Sequence, residues 1–228
     1  MILKLENISK SYGIKEQGNQ REVLKDLSFE INKGECIAII GPSGSGKTTL
    51  LNIIGTFDFP DGGKVLFNNQ DISGLSEKEV NSFRNEQVGT VFQLHHLLPQ
   101  CTLLENILIP TLPLKAKTEK VRKRNRAEEL MKSVGIWDMR HQKPSQLSGG
   151  ECQRAAVVRA MINEPSLILA DEPTGALDEE NVEKIADLLL DINRKYQLSL
   201  LVVTHSYELA KRMDKIYELK NGKLLLKI

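Results

Sequence analysis

Cys36-Ile37-Ala38-Ile39-Ile40 runs without a break into Gly41-Pro42-Ser43-Gly44-Ser45-Gly46-Lys47-Thr48-Thr49. Five apolar residues are strand length, and their lack of polar alternation predicts a strand buried on both faces of a mainly parallel sheet. Gly41 to Thr48 then fits G-x-x-x-x-G-K-[ST], placed after a strand and before a helix. Glycines let the backbone bend so that successive N–H groups point inward at phosphate oxygens. The first turn of the following helix adds its positive dipole end. Lys47 is placed to reach the outer phosphates, and the Thr48 hydroxyl is a ligand for Mg²⁺. The stretch predicts a nucleotide-binding α/β core.

Outward from it, residues 167–170 and 200–203 are further continuous apolar runs of strand type. Near the N-terminus the pattern changes. Leu3 and Leu5, then Leu27, Phe29 and Ile31, fall on every second residue, as in half-exposed strands. The polar stretch 13–22 between them reads as a surface loop. Helices are predicted over 48–54 and 178–195, the second with Asp178 as N-cap. Residues 94–146 are mostly helical in pattern, with a capping box at Thr102 and Glu105 and a basic run over 115–126. That stretch reads as a helical lobe inserted in the α/β core. Asn221-Gly222 marks a terminal hairpin turn.

Composition narrows the class. With 31 basic and 30 acidic residues the chain carries a formal net charge of +1, which gives no footprint for nucleic acid. Three scattered cysteines are too few for a disulfide framework or a zinc site. No basic-then-apolar leader opens the sequence, and no apolar run approaches the roughly 20 residues of a membrane span. Work at a membrane is therefore expected from the water side.

Two further motifs carry chemistry. The run 167–170 ends in Asp171 and Glu172. A carboxylate at that strand end can hold Mg²⁺, and Glu172 is the natural group to orient or deprotonate an attacking water. Leu147-Ser148-Gly149-Gly150-Glu151 sets Ser148 and Glu151 as a capping box, which leaves a helix N-terminus open to phosphate. Two glycines in a first helical turn each cost up to ~1 kcal/mol relative to alanine, so something is expected to approach that backbone closely.

On these motifs, in this order, the chain resembles the ABC (ATP-binding cassette) ATPase family over essentially its whole length. The resemblance implies a P-loop NTPase core, about 1–93 and 151–228, with an antiparallel β subdomain, and an inserted α-helical subdomain at about 94–150. It implies ATP and Mg²⁺ as cofactors, with Thr48, Gln93 and Asp171 about the metal and Glu172, Gln93 and His205 in hydrolysis. Tyr12 matches the aromatic residue that stacks on adenine, its ring mattering more than its hydroxyl. Ser148, Gly149, Gly150 and Glu151 would meet the nucleotide of a second copy in a head-to-tail homodimer formed on ATP binding. A separate transmembrane permease subunit is implied as partner, and the cytoplasmic face of the inner membrane as location. Cys152 departs from the family pattern, a change expected at a helix-surface contact. Gly175 also departs, where serine is common.

Phe92-Gln-Leu-His-His-Leu-Leu-Pro99 is similar to the subfamily of lipoprotein-releasing, MacB-type export and FtsE-type cassettes. It implies a transport ATPase for a lipid-modified or hydrophobic substrate. The alternative is an FtsE-like ATPase that signals to a membrane partner and moves nothing. His95 and His96 read as a partner contact before a metal pair, the basic run as a solvated helix face before a lipid contact, and 93–104 as the surface that docks the membrane subunit.

Overall fold

The computed structural model describes residues 1–13 and 21–227. Most of the expected 13–22 loop lies outside the described residues.

Two sheets build the molecule. The first is antiparallel: β1 (Leu3–Tyr12), β2 (Arg21–Ile31), β4 (Gly62–Phe67) and β5 (Gln70–Asp71), in the order β2-β1-β4-β5. The expected alternation is present but interrupted. Asn7 takes φ 54° at a bulge, and the register shifts so that Ile8 joins Leu3 and Leu5 in the core.

The second sheet has six strands: β3 (Cys36–Ile40), β6 (Val88–Val91), β7 (Leu167–Asp171), β8 (Ser199–Val203), β9 (Lys215–Lys220) and β10 (Lys223–Leu226), ordered β10-β9-β3-β8-β7-β6. All neighbours are parallel except the hairpin pair β9 and β10. Its turn residues Asn221 (φ 52°) and Gly222 (φ 79°) both take the left-handed conformation that a tight hairpin of this twist requires.

Helices cover both faces: α1 (Lys47–Ile54), α2 (Glu77–Gln87), α3 (Leu103–Leu108), α4 (Lys117–Ser133), α5 (Gly149–Met161), α6 (Glu179–Tyr196) and α7 (Tyr207–Ala210). Period-two alternation sorts β3 between two apolar clusters. Ile37 and Ile39 pack with Leu50, Ile53 and Ile54 of α1 and with the antiparallel sheet. Cys36 and Ala38 join the opposite cluster, built with α5, α6 and the helical segment. That segment is continuous with the sheet's own core, since Leu103, Leu104, Ile107, Leu130 and Met131 share the cluster holding Ile168 and Ala170. Both capping boxes and the Asp178 cap form: Thr102 with Glu105, Ser148 with Glu151, and Asp178 accepting from the Asn181 N–H.

Three expectations need correction. Leu97 is not available to a partner: like Leu103 it is buried in the core, whereas Leu94 and Leu98 are exposed. Cys152 faces inward and is 2 % exposed, so its departure is a core substitution and not a surface one. The basic run is only partly solvated, because Lys123 turns inward and donates to the Ile162 carbonyl at 3.0 Å and to Glu164 at 2.9 Å. Apart from these, the main-chain carbonyls of His95 and His96 are held by Arg159, while the His96 side chain is exposed. The histidine backbone is thus fixed by its own fold.

Candidate functional site

The glycine-rich turn leaves the carboxyl end of β3 and closes on α1. Gly41 (φ 155°) lies so near the hairpin strand that a Cβ would stand 2.5 Å from the Leu219 carbonyl oxygen. Gly46 (φ 105°) forms the left-handed step into α1, and a Cβ there would strike Val23 at 2.7 Å. Both positions therefore require glycine. Lys47 is 9 % exposed, and its Nζ donates to the Gly41 carbonyl at 2.8 Å and the Pro42 carbonyl at 3.1 Å. The ammonium is thereby folded back across the turn. The buried Ser45 hydroxyl has no protein partner, an unsatisfied polar group inside the cradle.

Parallel topology delivers three more groups to the same sheet edge. Thr48 at the start of α1 donates its hydroxyl to Asp171, which ends β7, at 3.1 Å. Burial pushes the Asp171 carboxyl above the usual range; the Thr48 bond and the Lys47 charge work against that shift. Glu172 follows in the left-handed region (φ 46°), its N–H bonded to Val203 of β8 at 2.8 Å. Its carboxylate accepts from the His205 N–H at 3.1 Å and lies 2.9 Å from His205 Nδ1. A carboxylate so held keeps a fixed direction beside the cradle.

Around this centre stand the remaining predicted residues. The exposed Gln93 lies against Gly175, where a Cβ would come 2.9 Å from its Nε2. Absence of a side chain at 175 thus makes room for Gln93. Tyr12 is 44 % exposed and donates its hydroxyl to Asp58 at 2.6 Å. Thr49 sits in the first turn of α1 and is partly buried.

Ser148 and Glu151 satisfy each other: the carboxylate accepts from the Ser148 N–H at 2.7 Å and its hydroxyl at 2.8 Å. Those two bonds hold the Glu151 carboxyl below the usual range. Among the described residues neither bonds to the cradle. The two glycines between them differ. Gly150 is approached by this chain's own Asn181, so closely that a Cβ would collide with the amide, while a Cβ on Gly149 would meet only Leu177 at 3.5 Å. The close neighbour expected at this turn is therefore internal at Gly150, and at Gly149 the backbone is open.

Two residues escaped the sequence reading. Gln153, 1 % exposed on α5, donates to the Phe92 carbonyl at 3.0 Å and the Pro173 carbonyl at 2.9 Å, tying both flanks of the site to one helix. Asp58 holds Tyr12. A glutamine inside a helix and an aspartate after one carry no local signal of such contacts.

Divalent metal fits the donor set in one way. Thr48 and Asp171 offer hard oxygen ligands 3.1 Å apart but no cage of their own, which suits Mg²⁺ arriving with phosphates.

Comparison with known proteins agrees with this geometry. Residues 24–175 match the family model described as ABC transporter. The chain is 46% identical, over 98% of its length and 99% of the relative's, to the lipoprotein-releasing system ATP-binding protein LolD of Syntrophus aciditrophicus (strain SB). It is 44% identical to LolD of Bacteroides thetaiotaomicron, over 97% of this chain and 98% of the other. It is also similar to a dimeric post-hydrolysis structure of the ATP-binding cassette MJ0796 bound to ADP and Pi, at TM-score 0.87 and 38% identity, covering 99% of this chain and 98% of that one. Cradle, strand-end carboxylates and full-length likeness converge: the chain belongs to the ABC transporter family, as an ATPase cassette.

Proposed function

We propose that this cassette hydrolyses ATP through Glu172 and passes the resulting motion to a separate membrane subunit that releases or exports a lipid-modified substrate. The observation that carries the reading is the gathering of Lys47, Thr48, Asp171 and the His205-held Glu172 at one sheet edge. Lys47 exchanges its two carbonyl partners for phosphate oxygens. Thr48, Asp171 and Gln93 would hold Mg²⁺, which neutralises phosphate charge when bound. Glu172 takes a proton from water as its oxygen bonds the γ-phosphorus and the bridging bond to ADP breaks. His205 keeps that carboxylate aimed.

Ser148 to Gly150 would cap the γ-phosphate of a second copy, since the cap leaves the Gly149 backbone open and bonds nothing in its own cradle. This supports a head-to-tail dimer. Release of lipoproteins is suggested by the LolD relatives. No helix among the described residues is long and apolar enough to cross a membrane, and a permease on another chain at the inner membrane's cytoplasmic face would supply the path. Its docking surface is narrower than 93–104, being limited there to exposed residues such as Leu94 and Leu98.

Glu172→Gln keeps shape and hydrogen bonds but removes the base. It should bind ATP, lose turnover and accumulate an ATP-dependent dimer on size-exclusion chromatography, whereas Lys47→Ala should weaken ATP binding itself. Wild-type turnover by Glu172→Gln would remove Glu172 from the chemistry.

A further inference from the structure

The end of β1 and the segment after α1 interlock through one carboxylate. Asp58 accepts the Tyr12 hydroxyl at 2.6 Å on one oxygen. Its other oxygen accepts Lys10 Nζ at 2.8 Å and the Phe59 N–H at 2.7 Å. Lys10 is only 9 % exposed, also donates to the Phe59 carbonyl, and stands 5.2 Å from the Tyr12 ring centre. One ring face is thus covered by a cation, while the ring as a whole stays 44 % exposed. Asp58 is itself tied to the cradle. The Phe57 and Asp58 N–H groups both donate to the Asn52 carbonyl in α1, the helix whose first residue is Lys47. A second pair, the Ser11 N–H on Asp61 at 2.6 Å, braces the same junction. Between the tyrosine and the phosphate turn there runs a continuous strut: hydroxyl, carboxylate, helix, lysine.

We propose that Asp58 is a positioning residue for nucleotide recognition, fixing the Tyr12 ring at a set distance from the phosphate cradle so that base and triphosphate are engaged together. The inference rests on Tyr12 being the base platform. It assigns the tyrosine hydroxyl a task that a ring-only role does not: a phenylalanine would stack equally well but turn freely, and the ordering cost would fall on binding.

The test uses the full-length chain and two ligands, Mg²⁺-ATP and Mg²⁺-tripolyphosphate, which lacks the base. Calorimetric Kd values are measured for Tyr12→Ala, Tyr12→Phe, Asp58→Ala and the Tyr12→Phe/Asp58→Ala double variant, with KM and kcat alongside. Tyr12→Phe should weaken ATP about three- to tenfold, the value of one hydrogen bond, and Asp58→Ala at least as much. Tripolyphosphate affinity and the rate at saturating ATP should not change. The double variant should lose no more than the worse single one, since both remove the hydroxyl–carboxylate contact. Tyr12→Phe spares the Lys10–Asp58 pair, so it carries the test even if Asp58→Ala folds poorly. Wild-type ATP affinity and KM in Tyr12→Phe, with loss in Tyr12→Ala, would overturn the role of Asp58 and leave the platform standing. Parallel loss of ATP and tripolyphosphate would show a general fault of the cradle and overturn it too. Undiminished ATP binding by Tyr12→Ala would remove the platform itself.

Discussion

Gly89→Ala is the most demanding probe of how the site is held. Gly89 lies in β6 where α5 crosses the sheet, and a Cβ there would stand 3.1 Å from the Ala160 carbonyl carbon, 3.2 Å from the Ala160 Cβ, and closer still to the carbonyl oxygen. The obstacle is main chain, so no side-chain rotation relieves it. Helix α5 must back away from the sheet by something on the order of 1 Å, and overpacking of that kind costs about 1–3 kcal/mol. Restricting the unfolded chain returns only ~0.4–1 kcal/mol. Because main chain cannot step aside, the cost falls in the upper half of that range, and a net loss of about 1–2.5 kcal/mol follows, seen as a lower urea midpoint at unchanged slope. Gly74→Ala is the control, since nothing lies within 4 Å of a Cβ at that position. Because α5 begins at the Ser148 cap and carries Gln153, the displaced helix should also weaken the ATP-dependent dimer of Glu172→Gln. A Gly89→Ala protein within about 0.5 kcal/mol of wild type would refute the claim that this crossing is tight, that being the ordinary scatter of neutral substitutions.

Leu97→Asp places a carboxylate in the core and should lower the melting temperature sharply or prevent folding, while Leu98→Asp should melt near wild type and lose only the membrane subunit in co-purification. A cooperatively folded, wild-type-stable Leu97→Asp would contradict the burial described. Glu164 is held below the usual carboxylate range, chiefly by the hydrogen bond from Lys123 and against the pull of burial. A depressed carboxylate stabilises fully above its unfolded value of 4.5 and loses that contribution as pH falls through the folded one. The urea-midpoint gap between wild type and Glu164→Gln should therefore be widest at neutral pH and close below pH about 4; a constant gap would speak against the pair.

The cradle could be read directly because phosphate binding leaves little choice of residue: glycine wherever backbone must turn left or pass close, then lysine and threonine. The caps at Thr102, Ser148 and Asp178 were equally legible, for each is a local bargain between side chain and main chain. What could not be read was long-range or lacked a period. Helix α2 buries only Val80 and so leaves no apolar stripe to follow. Leu97 and Leu98 are neighbours in an irregular loop, where nothing in the sequence says which one turns inward. Lys123 looks like any residue of a charged helix until Glu164 and the Ile162 carbonyl, which lie some forty residues further on, come into contact with it. The link from Tyr12 to Asp58 spans 46 residues and joins a strand to a loop.

The strand order has a consequence for how the molecule is made. Both neighbours of β3 come late, from residues 199–203 and 215–220. At a synthesis rate of roughly 5–20 residues per second, the strand that launches the phosphate turn waits on the order of 10–30 s for its first partner. During that interval Cys36–Ile40 is an apolar segment with two open edges, the kind that recruits foreign strands. A nascent chain halted between residues 49 and 198 thus carries the whole phosphate turn with neither neighbour of its launching strand in place.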